Sequence, residues 1–260
     1  MSNLSVMVLQ NPASLVGPLQ RFTWLADTLV KTDLSEIDLI LLPELFLCGY
    51  NIGTKVTLWC ESAQGLYAKK IAALCKLYRI AIHYGYAQTD QAKLYNASNC
   101  FSKDGKKLAT HQKLVLPPGH EKTYFSAGKQ HTTFVLNGLK IGTLICYDVE
   151  FPENCRHLAK MGVDVILVPT ALAAQWGVVA HKVIPTRAFE NGVYICYANQ
   201  AGSEEDLTYL GASCIIGPDG HELQRATEHA EVLKADLHKE QVIKAQTRLP
   251  YLQDLQQISI

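Results

Sequence analysis

Four side chains in three separate segments of the sequence are suited to cysteine-based cleavage of an acyl bond. Glu44 lies in LLPELFLCGY, just after an apolar run. Lys113 and Glu121 lie in THQKLVLPPGHEKTYFSAG, and Cys146 lies in LICYDVEFPENCR. A thiol nucleophile needs a base that takes its proton and returns it to the leaving group, and Glu44 is the candidate. An oxyanion needs fixed positive groups, which Lys113 and the backbone N–H of Tyr147 can supply.

Each segment alone has a simpler interpretation. Glu44 is equally compatible with a surface glutamate that ends a strand, and Lys113 with a solvated surface charge. A cysteine in a reducing compartment is more often a buried apolar side chain than a nucleophile. The acids that follow Cys146, Asp148 and Glu150 among them, oppose formation of the thiolate, whereas a nearby lysine offsets that effect. The catalytic interpretation therefore depends on the three segments meeting in space.

Short strands are predicted to position these segments. Runs rich in β-branched and apolar residues predict strands over 6–9, 37–42, 80–86, 132–136, 141–145 and 163–168. Apolar residues at 22, 25, 26 and 29, and again at 71, 74, 75 and 78, predict two helices with one buried face each. Several strands are apolar at consecutive positions, which is typical of strands covered on both faces. Strands alternating with helices favour a layered α/β architecture with Cys146 at a strand end, where such proteins hold reacting groups.

A weak internal repeat has three parts, which occur twice in the same order. It pairs IDLILLPE (37–44) with VDVILVPT (163–170), IAIHYGY (80–86) with VYICYAN (193–199), and SNCFSKDGKKL (98–108) with ASCIIGPDGHEL (212–223). Both copies of the third part contain Asp-Gly, which is typical of a hairpin turn. We therefore expect residues 1–260 to form a single domain of two similar α/β halves, with the strand layers face to face and the helices outside.

The composition bounds the class of protein. Of the 260 residues, 48% are apolar, so a sizeable folded core is expected. Lys and Arg together number 24, as do Asp and Glu, which gives no electrostatic case for a nucleic-acid partner. No apolar run approaches the roughly 20 residues of a membrane span, and the N-terminus lacks a signal-peptide pattern, so we expect a cytoplasmic protein. The eight cysteines form no CxxC pair and the nine histidines no HxxxH cluster, which disfavours a zinc site.

Three segments resemble, in this order, the signature segments of the nitrilase superfamily of carbon–nitrogen hydrolases: PELFLCGY, HQKLVLP and ICYDVEFPE. The resemblance covers essentially the whole chain. It implies a catalytic triad of Glu44, Lys113 and Cys146, and a second glutamate, Glu121, that supports the lysine or the substrate. It also implies a four-layer αββα sandwich, no metal or organic cofactor, a small-molecule amide substrate, and assembly into homodimers or larger homo-oligomers.

A narrower resemblance concerns the substrate. The segments GYNIG, DVEFPEN, IIGPDG and LPYLQDL are similar to those of the 5-aminopentanamidase (delta-aminovaleramidase) group within this family, which hydrolyses 5-aminopentanamide to 5-aminopentanoate and ammonia. Many family members carry Arg where this chain has Glu150, and an acid there suits a substrate with a remote ammonium. The alternative is that Glu150 pairs with Arg156 or another surface cation. Glu204, Glu205 and Asp206 lie in a loop that could also reach an ammonium, although a solvated acidic turn accounts for at least two of them.

Further pocket residues and rival functions follow from the same pattern. Tyr50, Thr170 and Trp176 follow predicted strand ends and are candidates for lining a substrate pocket with Tyr147, although each of the three is equally compatible with core or surface. An N-carbamoyl amine or another small amide is the alternative substrate to an ω-amino amide, and a nitrile is less favoured. Two other classes of protein are alternatives: a non-catalytic binding protein on this fold, and a redox or metal protein.

Pro185 lies in a predicted helix, in a region that often forms the subunit contact in this family. A proline there should break or kink the helix unless it lies in the first turn.

Overall fold

The computed structural model describes residues 2–258, and two six-stranded β-sheets form its centre. The strands are β1 (Asn3–Gln10), β2 (Leu39–Leu41), β3 (Ala81–Asp90), β4 (Lys93–Phe101), β5 (Lys107–Gln112), β6 (Thr132–Leu136), β7 (Leu139–Thr143), β8 (Val165–Pro169), β9 (Tyr194–Ala198), β10 (Ser203–Glu204), β11 (Leu207–Thr208), β12 (Cys214–Ile216), β13 (Glu222–Arg225) and β14 (Glu231–His238). The first sheet has the order β14-β1-β2-β3-β4-β5, the second has the order β13-β12-β9-β8-β7-β6, and β10 pairs only with β11.

Helices surround the two sheets. They are α1 (Gly17–Lys31), α2 (Val56–Trp59), α3 (Leu66–Tyr78), α4 (His120–Tyr124), α5 (Pro152–Lys160), α6 (Ile184–Asn191), α7 (Lys239–Arg248) and α8 (Tyr251–Asp254), with short 3₁₀ turns at Gly53–Lys55, Cys146–Glu150, Ala174–Trp176 and Leu255–Gln257. Across residues 2–258, the helices are too short or too polar to cross a bilayer.

The strands are buried on both faces, which explains their continuous apolar runs. Along β1, Val6 and Val8 point into the layer between the two sheets, whereas Met7 and Leu9 pack outward with α1 and α3. The second sheet shows the same alternation along β8, with its outer face covered by α5 and α6. Each such side chain contributes about 1.5–3 kcal/mol when fully buried. The order of layers is helix, sheet, sheet, helix, which confirms the predicted αββα sandwich.

The repeated segments occupy equivalent places in the two sheets. In the first sheet, β2 is parallel to β3, and the antiparallel hairpin β4–β5 follows. In the second sheet, β8 is parallel to β9, and the antiparallel hairpin β12–β13 follows. Both predicted Asp-Gly turns contain a glycine with positive φ, Gly105 at 68° and Gly220 at 82°. The short sequence echo therefore marks two similarly built halves.

Three parallel strands end at the edge where the candidate residues lie. β2 ends at Leu41, β8 ends at Pro169, and β7 ends at Thr143, two residues earlier than predicted. Past that end, Leu144 N still donates to Leu167 O at 3.1 Å, so the chain continues beside β8 up to Cys146. This arrangement brings the segments after three strands to one place: β7 and β8 are neighbours in the second sheet, and Glu44, after β2 of the first sheet, meets them through its backbone N–H, which donates to Thr170 O at 3.3 Å.

Pro185 is accommodated without ending the helical segment. A π-helical turn spans Val179–Val183, and α6 begins directly after it at Ile184. Pro185 is the second residue of α6, but the residues before it are already helical, so its missing N–H falls inside a continuous helical segment, directly after the π-helical turn. The helical segment is not broken at Pro185, and the irregularity lies in the π-helical turn before it.

Candidate active site

Glu44 is held at the end of β2 by a close approach of two main chains. Gly85 N donates to Pro43 O at 3.1 Å, and Glu44 N donates to Thr170 O at 3.3 Å. A Cβ atom at Gly85 would lie 2.4 Å from both the Leu45 nitrogen and the Pro43 oxygen. Leu45 adopts φ of 48°, the left-handed region that costs a non-glycine residue of order 1 kcal/mol. A glycine at 85 is therefore required for the turn that presents Glu44.

Lys113 follows β5 and has its main chain anchored on both sides. Lys113 N donates to Asn96 O at 2.8 Å, and Gly128 N donates to Lys113 O at 2.7 Å. These bonds fix the root of the side chain, so the ammonium enters the site from a defined position.

The Lys113 ammonium lies between two carboxylates. Its Nζ is 2.7 Å from Glu44 Oε1 and 2.6 Å from Glu121 Oε1, and the lysine and Glu44 side chains are fully enclosed. A buried charge is stable only when paired and hydrogen-bonded, and this lysine meets both conditions. Glu44 is 69 residues from Lys113 in the sequence, whereas Glu121 is eight residues from it, so the structure joins two separate segments.

Two neutral side chains complete the cluster. Asn96 Nδ2 donates to Glu44 Oε1 at 2.7 Å and to Glu121 Oε2 at 3.1 Å. The Tyr50 hydroxyl donates to Glu121 Oε1 at 2.7 Å. Glu44 Oε2 is buried and has no hydrogen-bond partner among residues 2–258. One oxygen of Glu44 is therefore engaged by Lys113 and Asn96, and the other is available to a reacting group.

Cys146 begins the 3₁₀ turn Cys146–Glu150 and adopts φ of 45°. Strained backbone of this kind is concentrated at functional sites, because the surrounding structure must hold it in place. Burial, followed by the negative charge of Glu44, raises the pKa of the Cys146 thiol, whereas Lys113, the Thr170 side chain and the Ala171 backbone lower it. The thiol is consequently neutral at rest and needs a base.

The charges in the cluster suit Glu44 to that task. Burial raises the pKa of Glu44 to about 7, although Lys113 acts in the opposite direction. Burial alone would lower the pKa of Lys113, but Glu44 and Glu121 raise it above its ordinary value, so the lysine stays cationic. A carboxyl group that titrates near neutral pH can accept and return a proton in each cycle.

A cavity of about 600 Å³ opens above Cys146. Its wall includes four of the candidate residues, Tyr50, Tyr147, Glu150 and Trp176, and several apolar side chains, namely Pro117, Pro118, Leu172, Val179 and Leu207. Trp176 is 56% exposed, in keeping with a position at the rim. The mixture of an apolar wall with few polar groups fits a small aliphatic substrate.

Thr170 is placed differently from the expectation. Its side chain is fully buried and does not belong to the cavity wall. Its hydroxyl donates to the Tyr197 hydroxyl at 3.1 Å and acts on the Cys146 thiol, lowering the pKa of that group. Thr170 lies behind the cysteine because β8 ends directly below the site.

Glu150 is half-buried in the cavity wall. Among residues 2–258 its carboxylate makes no ion pair within 4.0 Å, so the proposed pairing with Arg156 is wrong. Arg187 instead donates to the backbone oxygen of Glu150 at 2.8 Å. Burial raises the pKa of Glu150, while Lys113 and Arg187 lower it. The side chain is thus an acid that faces the cavity with its carboxylate unengaged by protein cations at short range.

None of the three loop acids, Glu204, Glu205 and Asp206, belongs to the cavity wall, although Leu207 does. Asp206 Oδ1 accepts from Asn51 Nδ2 at 2.7 Å. Glu204 is buried, with Oε1 2.9 Å from Arg21 Nη2, and its Oε2 accepts from the backbone N–H of Tyr50 at 2.9 Å. Glu205 pairs with Lys55 at the surface. Glu204 therefore holds the Tyr50 main chain instead of a ligand.

Sequence reasoning missed Asn96 and the role of Asp148. Asn96 lies in β4, ahead of the repeated segment, and an asparagine in a strand carries no local pattern that marks a site. Asp148 was considered only as a charge opposing the thiolate, but its carboxylate accepts hydrogen bonds from the backbone, including that of Ile145 at 3.0 Å. The part of the chain that is described contains no group of three or more His, Cys, Asp or Glu side chains arranged to hold a metal ion.

The family model of the carbon–nitrogen hydrolases matches residues 9–247, which include the whole cluster. The chain belongs to the carbon–nitrogen hydrolase family. This confirms the predicted class, an amidase of the nitrilase superfamily that acts on carbon–nitrogen bonds other than peptide bonds.

Two relatives of this carbon–nitrogen hydrolase are similar in sequence over most of their length. It is 38% identical to the hydrolase in the pqqF 5′ region of Pseudomonas protegens over 94% of this chain and 85% of that protein. It is 31% identical to an (R)-stereoselective amidase of a Pseudomonas species over 86% of this chain and 82% of that protein. The narrower resemblance to 5-aminopentanamidase stays a prediction, because neither relative is named for that substrate.

A solved structure of an amidase from Nesterenkonia sp. AN1 matches this carbon–nitrogen hydrolase over 97% of this chain and 94% of that one. The TM-score is 0.86 and the sequence identity 28%. Other structures of the Nesterenkonia amidase contain butyramide, or an acetamide group added covalently at its active-site cysteine.

Proposed function

We propose that this hydrolase cleaves small ω-amino amides, with 5-aminopentanamide as the leading candidate, to the carboxylate and ammonia through a thioester on Cys146. The observation that carries the proposal is the enclosed ion-pair cluster of Glu44, Lys113 and Glu121 beside a strained cysteine at a cavity. A buried base, a fixed cation and a nucleophile are the three groups that amide cleavage by a thiol requires.

In the first half-reaction Glu44 accepts the thiol proton while Cys146 Sγ attacks the amide carbonyl carbon. The oxyanion is stabilised by Lys113 Nζ and by the backbone N–H of Tyr147. The carbon–nitrogen bond then breaks, and the departing amino group takes the proton from Glu44 and leaves as ammonia. The product of this step is the acyl thioester.

In the second half-reaction a water molecule attacks the thioester carbonyl and gives a proton to Glu44. The carbon–sulfur bond breaks, the sulfur takes that proton from Glu44, and the carboxylic acid is released and loses its remaining proton to the solvent. Glu121 and Asn96 take no part in proton transfer. Glu121 accepts a hydrogen bond from the Lys113 ammonium, and Asn96 donates one to Glu121, so the two side chains hold the lysine in position. No step in this sequence needs a metal or an organic cofactor.

The preference for an ω-amino group rests on Glu150. Its carboxylate lies on the cavity wall with no ion pair of its own among the described residues, so an incoming ammonium would supply the missing charge. Tyr50, Tyr147 and Trp176 add aromatic surface that favours a cation. The apolar part of the wall suits the methylene chain between the amide and the ammonium.

Assembly into a homodimer or larger homo-oligomer is part of the same proposal. Phe189 of α6 and Tyr251 of α8 form an edge-to-face pair at 5.9 Å, and each is 38% exposed. An exposed aromatic pair at the helical face is a candidate contact between subunits. Sedimentation of the purified protein tests it, and a monomer at micromolar concentration would contradict it.

Steady-state rates on three substrates test the substrate class. We expect kcat/KM for 5-aminopentanamide to exceed that for pentanamide, and Glu150→Gln to reduce the first by about tenfold, which corresponds to about 1.4 kcal/mol, without changing the second. Glu153→Gln, in the first turn of α5, is the matched control. Equal rates on the two amides would contradict the ammonium site. Faster hydrolysis of N-carbamoylputrescine would instead favour the N-carbamoyl amine alternative.

A further inference from the structure

The carboxylate of Asp148 joins two segments that are far apart in the sequence. The side chain is fully buried. Oδ1 accepts from the backbone N–H groups of Leu114 at 3.0 Å and Val115 at 2.8 Å. Oδ2 accepts from the backbone N–H of Ile145 at 3.0 Å. The two bonds to Oδ1 span 34 and 33 residues, so they are tertiary contacts and not part of a local turn.

The residues at the ends of this bridge flank the reacting groups. Leu114 directly follows Lys113, and Ile145 directly precedes Cys146. On its other side the Lys113 main chain is already bound to β4 and to the segment at Gly128. The Asp148 bridge therefore ties the lysine segment to the start of the nucleophile turn by hydrogen bonds, in addition to the packing of Leu114 against the apolar cluster that contains Leu144 and Val149.

A carboxylate is better suited to this bridge than its neutral analogue. Three N–H donors converge on two oxygens, and an ionised carboxylate accepts on both. An asparagine offers one acceptor oxygen and turns an NH₂ group toward the remaining donors. Replacement therefore breaks the bridge at one end and leaves an unpaired backbone N–H in a buried place.

We propose that Asp148 is a positioning residue, whose carboxylate sets the placement of Lys113 relative to Cys146 by binding the main chain on both sides. The inference rests on the proposed function, because it takes the lysine and the cysteine as the reacting groups. A displacement of about 1 Å between such groups can cost about 100-fold in rate. His111, whose Nε2 is 3.6 Å from Asp148 Oδ2, is the adjacent ionisable side chain.

Asp148→Asn tests the proposal against a matched control, Asp164→Asn. Asp164 is also a buried aspartate whose Oδ2 accepts a backbone N–H, that of Lys140 at 2.8 Å, but it lies at the opposite ends of β7 and β8. Three quantities are measured for both variants: the urea midpoint, kcat and KM on an amide substrate, and the rate at which iodoacetamide alkylates Cys146, followed by peptide mass spectrometry.

We expect Asp148→Asn to lower kcat by about 100-fold, with KM changed less than threefold, and to slow alkylation of Cys146. Asp164→Asn should lose comparable stability and keep kcat within threefold of the wild type. Equal kcat in Asp148→Asn and the wild type, or an equal loss in both variants, would overturn the proposal. If Asp148→Asn does not fold, hydrogen exchange of the wild-type protein tests whether the Asp148 bridge is present in solution. Amides 114, 115 and 145 should exchange as slowly as those of the central strands, and fast exchange of 114 and 115 would overturn the bridge.

The alkylation and exchange measurements need no identified substrate. A wild-type protein that hydrolyses no amide would therefore refute the proposed function, while a separate result on the same samples would still decide the role of Asp148.

Discussion

Glu44 Oε1 and Lys113 Nζ are 2.7 Å apart in an ion pair that is closed to solvent on both sides. The pair engages one oxygen of the glutamate and leaves Oε2 without a protein partner among residues 2–258. A carboxylate held in this way has one oxygen fixed by a cation and the other directed to a proton donor.

Replacing the base should strongly reduce turnover and leave the fold intact. Glu44→Gln keeps the shape and the acceptor for Lys113, but it cannot take the thiol proton. We expect kcat to fall by about 100- to 10,000-fold. Glu190→Gln, which removes a carboxylate from a partly exposed i,i+3 pair with Arg187, is the control and should keep kcat. Steady-state kinetics gives kcat for both variants, and circular dichroism checks that both are folded. A folded Glu44→Gln enzyme with wild-type kcat would contradict the role of Glu44 as the base.

The pH dependence should report the ionisation of Glu44. Burial raises the pKa of this carboxyl group to about 7, and only the ionised form acts as base, so kcat/KM should decline as the pH falls through about 7. Asn96 donates to the ionised form and lowers the pKa. Asn96→Ala should therefore move the acid limb of the profile to higher pH. A limb that stays in place or moves to lower pH in this variant would assign it to another group.

Gly85 should tolerate no side chain. A Cβ atom there would meet the Leu45 nitrogen and the Pro43 oxygen at 2.4 Å, so Gly85→Ala must push Glu44 out of place. We expect a loss of stability of about 1–3 kcal/mol and a loss of kcat near 100-fold. Gly177→Ala is the control, because its added Cβ meets no atom closer than 3.7 Å. Full activity in Gly85→Ala would show that the turn is looser than described.

The sequence predicted those parts of the site that follow strands. Glu44 and Cys146 each lie just past the carboxyl end of a parallel strand, where α/β proteins hold reacting groups, but the two strands belong to different sheets that meet only in the folded structure. Asn96 could not be predicted, because it points into the site from the middle of β4 and its partners are 52 and 25 residues away. The sequence does not distinguish Glu204 from the two acids after it, because its partner Arg21 belongs to a helix near the other end of the chain. Local patterns fix elements and their ends, whereas buried polar pairs depend on the tertiary fold.

Mass spectrometry of the Cys146 peptide after mixing with an amide tests the central claim most directly. With 5-aminopentanamide, stopped by acid during turnover, we expect a 5-aminopentanoyl adduct on the Cys146 peptide. The peptide with Cys48, a fully buried thiol whose pKa burial raises to about 12, should carry none. Cys146→Ala should neither turn over the amide nor form an adduct, and Cys48→Ala should do both. An adduct confined to another cysteine, or normal turnover by Cys146→Ala, would contradict the account.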